Sequence, residues 1–207
     1  MALLASAARC AAFVALSFLA ACSDKPAPRP RATTTGPTPD SFRVAFETSR
    51  GTFVVQVNRA WAPVGADRFH ELTEQGFFDG QRFFRVVPGF VAQFGVNGNP
   101  KINEPWDAKP LADDSVRHSN ARGTIAYAQD GPRTRTHHIF ISLGDNARLD
   151  KLGFTPFGRV VDGMNVVDSI YSVYREKPDQ QLIQTLGNSY LNRMFPKLDY
   201  IKTATIR

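Results

Sequence analysis

The chain is most informative at Phe83-Phe84-Arg85-Val86-Val87-Pro88-Gly89-Phe90-Val91-Ala92-Gln93-Phe94-Gly95. This stretch carries one arginine and one glutamine inside a run that is otherwise dominated by apolar residues. Apolar residues alternate as in strands on both sides of Pro88-Gly89, a dipeptide that is typical of turns. An arginine keeps its charge in a protein, so among apolar neighbours Arg85 needs a partner or a function. Arg85 and Gln93 are therefore candidate functional residues on two predicted strands.

The first residues resemble a targeting segment rather than part of a fold. Arg9 is followed by an apolar run, Cys10 to Ala21, that is too short to span a bilayer comfortably. The run ends in Leu19-Ala20-Ala21-Cys22, which is similar to the bacterial lipobox, where a leader is cut before a cysteine that becomes lipidated. We therefore expect residues 1–21 to be a lipoprotein signal peptide and Cys22 to be the lipidation site. The alternative is an ordinary secretory signal cut nearby at small residues.

Residues 22–41 are rich in Pro, Thr and Ala and predict a disordered tether, which leaves 42–207 as one domain. The only two cysteines, Cys10 and Cys22, precede this domain, which excludes disulfides, cysteine metal ligands and cysteine nucleophiles from it. The formal net charge is +6, but the basic residues are scattered. A nucleic-acid partner is therefore not expected. We expect a monomer in the bacterial cell envelope, bound to a membrane through Cys22.

Hydrophobic patterning predicts mostly strands. Residues 42–47 and 52–57 read as a β-hairpin, and further strands are expected at Gly123–Ala128, His138–Leu143, Phe157–Val161 and Tyr200–Ile206. Helices are expected from Pro63 to about Gly76 and over Met164–Tyr174. Residues 97–120 contain three prolines and predict a long surface excursion. This order without a βαβ rhythm indicates an antiparallel sheet or closed barrel with helices at its ends.

Several motifs resemble those of the cyclophilins, the peptidyl-prolyl cis/trans isomerases. The opening stretch is similar to the family's F-H-R-I-I-P-G-F-M-x-Q-G-G, and further matches are Ala126-Tyr127-Ala128-Gln129-Asp130-Gly131-Pro132, Ile139-Phe140-Ile141 and Phe157-Gly158-Arg159-Val160. The resemblance implies a mainly β fold, a closed eight-stranded antiparallel barrel capped by two helices. Residues 178–196 would be a short helical insertion before the last strand, broken at Gly187-Asn188.

The chemistry of such an enzyme can be argued from Arg85. Rotation about a prolyl amide faces a barrier of about 18–20 kcal/mol because the C–N bond has partial double-bond character. In the twisted transition state the amide nitrogen regains a lone pair. A guanidinium near that nitrogen stabilises the transition state more than the planar ground state. The alternative reading of Arg85 is a buried arginine paired only for structure. Catalysis by Arg85 would need no cofactor and no covalent intermediate.

The resemblance implies roles for nine further residues. Gln93 would brace the arginine and the substrate backbone, and Ala128 and Gln129 would receive that backbone. The slot for the proline ring would be lined by Phe90, Val91, Phe140 and Leu149, each of which could equally be barrel core. Four of these residues depart from the family pattern. Val91 stands for a common methionine, Gln129 for the usual asparagine and His138 for a second glutamine. In a loop one residue longer than usual, the familiar histidine is replaced by Phe154 or displaced.

His138 also carries a prediction about pH, because a histidine titrates near neutrality and a cation beside Arg85 is unfavourable. From an ordinary pKa of about 6.5, activity is expected to fall below that pH. No metal site is expected, because His137 and His138 are strand neighbours that point to opposite faces. We predict an isomerase that acts on Xaa-Pro bonds of exported polypeptides. The rival hypothesis is a cyclophilin-like binding module for proline segments, or for a partner held at 178–196, with catalysis weak or lost.

Overall fold

The computed structural model describes residues 36–207, so the predicted signal peptide, Cys22 and most of the predicted tether lie outside the described residues. Eight strands form one antiparallel sheet: β1 Ser41–Thr48, β2 Gly51–Asn58, β3 Arg85–Val87, β4 Val91–Phe94, β5 Thr124–Tyr127, β6 Ile139–Ser142, β7 Pro156–Asp162 and β8 Ile201–Ile206. Within 36–207, five α-helices accompany it: α1 Pro63–Glu74, α2 Pro100–Asp107, α3 Met164–Asp168, α4 Gln180–Leu186 and α5 Asn188–Met194. A 3-10 helix covers Ala147–Leu152. No helix within 36–207 is long and apolar enough to cross a membrane.

The predicted hairpin shows how alternation builds the core. In β1 and β2, Val44 pairs with Val55 and Phe46 with Phe53, and all four side chains are fully buried. The Phe46 and Phe53 rings stack with centroids 4.9 Å apart. The same interior contains Phe69 from α1, so the inward faces of the strands and one face of α1 share one hydrophobic core.

The sheet is an open barrel, which corrects the prediction of a closed one. Its order is β3-β4-β6-β5-β7-β2-β1-β8, and the two edge strands β3 and β8 are not paired with each other. An isolated bridge between Arg82 and Tyr200 links the residues just before these strands. The Val86 amide on the free edge of β3 instead donates to the carbonyl of Arg175, 3.3 Å away. The segment after α3 thus satisfies the edge that β8 would have to reach.

One helix prediction was wrong in extent, and one helix was not predicted. The helix expected over Met164–Tyr174 ends at Asp168, because the Tyr171 amide donates to the Asp199 carboxylate at 2.7 Å rather than to a preceding helical carbonyl. The excursion expected at 97–120 contains α2, which buries Trp106. Its proline Pro100 stands in the first turn, where a missing N–H costs little. The helix expected from Pro63 is confirmed as α1.

The insertion 178–196 folds as two short helices that pack against the barrel. The break predicted at Gly187-Asn188 is confirmed, with α4 before it and α5 after it. Their apolar residues Ile183, Tyr190 and Leu191 share a second core with Phe84 and Val96 of the barrel. Gly187 has φ +57°, and a Cβ there would lie 2.1 Å from the Gly98 carbonyl oxygen, so this close approach requires glycine.

Candidate active site

The site lies on the outer face of the same strands that build the core. Along β4 and β6, Ala92, Phe94, Ile139 and Ile141 face the main core, whereas Val91 and Phe140 belong to a separate cluster. This division follows from the two-residue period of a strand, which sends successive side chains to opposite faces. One strand therefore serves both stability and the site.

The sheet register puts four site positions in one row. Arg85 in β3 pairs with Gln93 in β4, and Gln93 pairs with Phe140 in β6. Phe140 in turn pairs with Ala126 in β5. Residues that pair directly across strands share a face, so a cation, an amide and an aromatic ring project side by side.

A cavity of about 540 Å³ opens over this row. All ten residues predicted for catalysis and substrate binding line it: Arg85, Phe90, Val91, Gln93, Ala128, Gln129, His138, Phe140, Leu149 and Phe154. The structure thus brings together all ten catalytic and substrate-binding residues that were predicted within 42–207. Cys22 lies outside the described residues.

The floor of the cavity is apolar. Val91, Ala126, Phe140 and Leu149 are buried in one cluster, with Phe90, Ala128 and Phe154 packed against it. Phe154 meets Phe140 edge to face, with ring centroids 5.8 Å apart. The lengthened loop reaches this position through the 3-10 helix, which ends at Leu152 and is followed by Gly153 with φ +82°. Phe154 therefore extends the apolar floor where a polar ring was the family pattern.

Arg85 is held from two sides at the edge of that floor. Its Nη1 donates to Oε1 of Gln93 at 3.3 Å. Its Nε and Nη2 both donate to Oε1 of Glu176, at 2.8 and 2.5 Å. The guanidinium also lies over the Phe90 ring, with Cζ 5.4 Å from the centroid, and Arg148 lies 4.7 Å from the same centroid. Both ion-pair contacts and ring contacts thus fix the direction in which the guanidinium points.

His138 is neutral in this environment. Burial, followed by the electrostatic influence of neighbouring His137, lowers the pKa of His138 to about 3. A pKa of about 3 moves the titration of His138 well below pH 6.5, so the prediction is revised to no step in activity due to His138 between pH 5 and 8. Burial outweighs the ordinary pKa, and burial could not be seen in the sequence.

The two adjacent histidines have different partners. His137 is fully buried, with Nδ1 2.5 Å from the Gly95 carbonyl oxygen and Nε2 2.7 Å from an Asp107 carboxylate oxygen. Nε2 of His138 instead lies 2.8 Å from Nε2 of Gln184. Among residues 36–207, no group of three or more His, Cys, Asp or Glu side chains is arranged to hold a metal ion.

Sequence reasoning missed one whole wall of the cavity. Glu176, Gln180 and Gln184 line it from the segment after α3 and from α4. Their partners Arg85 and His138 are 91 and 46 residues away in sequence. The repeated glutamines at 180, 181 and 184 gave no signal, because only the packing of α4 decides which of them face the site. Asp107, Asp130, Thr134 and Thr136 complete the rim and were also not predicted.

Comparisons with known proteins agree with this geometry. Residues 43–187 match the family model described as cyclophilin type peptidyl-prolyl cis-trans isomerase/CLD. The chain is 36% identical over 144 residues to peptidyl-prolyl cis-trans isomerase A of Dickeya dadantii, covering 66% of this chain and 74% of the relative. It is 30% identical over 167 residues to peptidyl-prolyl cis-trans isomerase B of Escherichia coli, covering 76% and 94%.

A solved structure supports the fold independently. The cyclophilin-type isomerase of Cryptosporidium parvum superposes with a TM-score of 0.60 at 19% identity, covering 81% of this chain and 98% of that one. The same Cryptosporidium protein has also been crystallised in the presence of the dipeptide Ala-Pro. The mainly β, antiparallel fold and the matched family model define the class. The chain belongs to the cyclophilin-type peptidyl-prolyl cis/trans isomerases, as the motifs predicted.

Proposed function

We propose that this chain accelerates cis/trans rotation about Xaa-Pro bonds, with Arg85 stabilising the twisted amide. The observation that carries the proposal is a guanidinium oriented by Glu176 and Gln93 at the edge of an apolar floor. A proline ring is apolar and its amide is polar, so the ring would fill the floor while the amide lies towards Arg85. Oriented donors in a shielded site stabilise developing charge without reorganising during the reaction.

The substrate backbone would bond along β5. The Ala128 amide already donates to the His138 carbonyl at 2.9 Å, which leaves Gln129 as the backbone donor of that pair. Gln93 would brace both Arg85 and the substrate, since its carbonyl oxygen accepts from Arg85 and its amide N–H groups remain as donors. Together these contacts would hold the prolyl bond in one orientation.

NMR exchange spectroscopy on an Ala-Pro peptide tests this function, because it reports binding and isomerisation separately. Cis/trans exchange should be faster with the full chain, and most of this acceleration should be lost with Arg85→Ala. Peptide shifts without faster exchange in the unaltered chain would contradict catalysis. That outcome would support the rival binding module, which His138 and the lengthened loop around Phe154 favour.

We also propose that the clients are exported polypeptides and that Cys22 anchors the protein in the bacterial envelope, where it acts as a monomer. The support is the lipobox-like Leu19-Ala20-Ala21-Cys22 and the absence of cysteine from 42–207. Metabolic labelling with a radioactive fatty acid tests the anchor. The unaltered chain should be labelled and should sediment with membranes. Cys22→Ser should not be labelled and should stay in the supernatant. Labelling that survives Cys22→Ser would contradict the assignment.

A further inference from the structure

The helix α4 presents Gln180 and Gln184 to the cavity and keeps Gln181 away from it. Ile183 is 1% exposed and anchors α4 in the second core, and its neighbour Gln184 lines the cavity beside His138. Gln181, on the first turn of the same helix, is exposed and does not line the cavity. The direction of Gln184 is therefore set by the packing of the helix.

The placement of α4 is fixed at both ends. At its start, Oδ1 of Asp179 accepts from the amides of Gln181 and Leu182 at 2.8 and 3.1 Å. At its end, the Asn188 amide donates to the Gly98 carbonyl at 2.9 Å, across the close approach that Gly187 permits. A helix held in this way presents Gln184 without further ordering when a ligand arrives.

The side-chain amide of Gln184 donates a hydrogen bond to His138. Its Nε2 lies 2.8 Å from Nε2 of His138, and an amide nitrogen can only donate. Nε2 of His138 must therefore accept, which places the imidazole proton on Nδ1. This agrees with the neutral state that burial imposes on the ring.

The carbonyl of Gln184 has no such partner. Its Oε1 is buried and accepts no hydrogen bond from any residue between 36 and 207. The Oε1 of Gln129, which lines the same cavity, is buried and unpartnered in the same way, while its Nε2 donates to the Leu152 carbonyl at 2.9 Å. Buried acceptors are normally satisfied, so two unsatisfied ones on one cavity indicate a ligand that brings donors.

We propose that Gln184 is a specificity-determining residue of the isomerase site. Its carbonyl oxygen accepts a hydrogen bond from a backbone N–H next to the substrate proline. Its amide meanwhile holds His138 as a neutral acceptor. The inference rests on the proposed function and adds to it a requirement for a secondary amide beside the prolyl bond. A proline supplies no N–H, so Pro-Pro segments are poorer ligands than Ala-Pro segments.

A double cycle tests the carbonyl contact. The probe is the peptide Ala-Ala-Pro-Ala-Ala, together with two analogues in which an ester replaces the amide N–H of the residue before or after proline. Dissociation constants come from NMR titration of the full chain and of Gln184→Leu. One ester should weaken binding to the unaltered chain by roughly three- to ten-fold, and to Gln184→Leu by less than about two-fold.

The matched control is Gln181→Leu, which removes the same side chain from the same helix outside the cavity and should retain the full ester effect. Equal ester effects in the unaltered chain and in Gln184→Leu, at both positions, overturn the inference even if catalysis is normal. Absence of any binding of the all-amide peptide overturns both the inference and the proposed function.

A second measurement compares the tautomer of His138 in the unaltered chain and in Gln184→Leu. Side-chain ¹⁵N–¹H correlation spectra report which ring nitrogen of His138 carries the proton. A proton on Nδ1 in the unaltered chain is expected, with a shift towards a tautomer mixture in Gln184→Leu. A proton on Nε2 in the unaltered chain would reverse the assigned hydrogen bond and overturn the positioning role.

Discussion

The cavity has two walls of different origin. One wall is a row across paired strands, where Arg85, Gln93 and Phe140 are neighbours through the sheet register. The other consists of Glu176, Gln180 and Gln184, brought in by the segment after α3 and by the insertion. The strand wall carries the groups expected to act on the prolyl bond, and the helix wall orients them. The difference teaches that one chain can keep a reaction and vary its surroundings by inserting a helix beside the sheet.

The largest effect is expected from a substitution that removes Arg85, the central group of the strand wall. Arg85→Ala should lower kcat/KM by roughly 10²–10³-fold, the usual loss when one oriented donor to a transition state is removed. NMR exchange rates at several peptide concentrations measure it. Arg148→Ala is the matched control, because Arg148 lies over the same Phe90 ring but does not line the cavity. Equal losses in both variants would show that the ring contact, and not the position of Arg85, matters.

The next prediction tests whether the helix wall is integral to the domain. Ile183→Ala removes a side chain that is 1% exposed and should cost about 2–4 kcal/mol of local stability. Leu182→Ala, at a side chain 41% exposed, should change stability by less than about 0.5 kcal/mol. Amide hydrogen exchange in α4 and urea denaturation measure both. Equal exchange rates for the two variants would mean that α4 is not held by the second core.

His138 connects the two walls and makes the fold sensitive to acid. Its folded pKa of about 3 lies below the unfolded value, so as pH falls below about 6.5 the unfolded chain gains a proton that the folded chain does not. Stability is therefore lost as pH falls, by about 2 kcal/mol between pH 6.5 and pH 5.

Urea denaturation at the two pH values should show this loss in the unaltered chain and a smaller one in His138→Gln, which cannot titrate. Activity between pH 5 and 8 should show no step due to His138. A step near pH 6.5 that disappears in His138→Gln would mean that the ring is protonated in the folded site.

The smallest expected effect lies at the edge of the helix wall. Glu176 is 60% exposed, so its ion pair with Arg85 is worth roughly 0.2–1 kcal/mol. Glu176→Gln should therefore lower kcat/KM by only about two- to five-fold, and the difference should shrink in high salt because exposed charges are screened. A rise in activity would indicate that the carboxylate restrains Arg85 and would favour a weakly catalytic binding module as the natural state.

Much of the strand wall was predictable because its signals are local. The two-residue period around Pro88-Gly89 placed Arg85 and Gln93 on adjacent strands, and the structure pairs them directly. The start of α1 at Pro63 and the break between α4 and α5 at Gly187 were predictable for the same reason, since each depends on the conformational limits of one residue. The predictions of a closed barrel and of a long second helix were wrong, because Arg175 and Asp199 accept hydrogen bonds from Val86 and Tyr171. These partners lie in distant parts of the chain.

The sequence by itself predicted the mainly β antiparallel fold, the family and ten residues within 42–207 that line one cavity, because motifs and strand periodicity are properties of short segments. Only the tertiary structure decided that Glu176 pairs with Arg85, that Gln184 meets His138, and that His138 stays neutral. These facts depend on burial and on contacts between residues far apart in the chain. Packing sets both, and no local pattern records them.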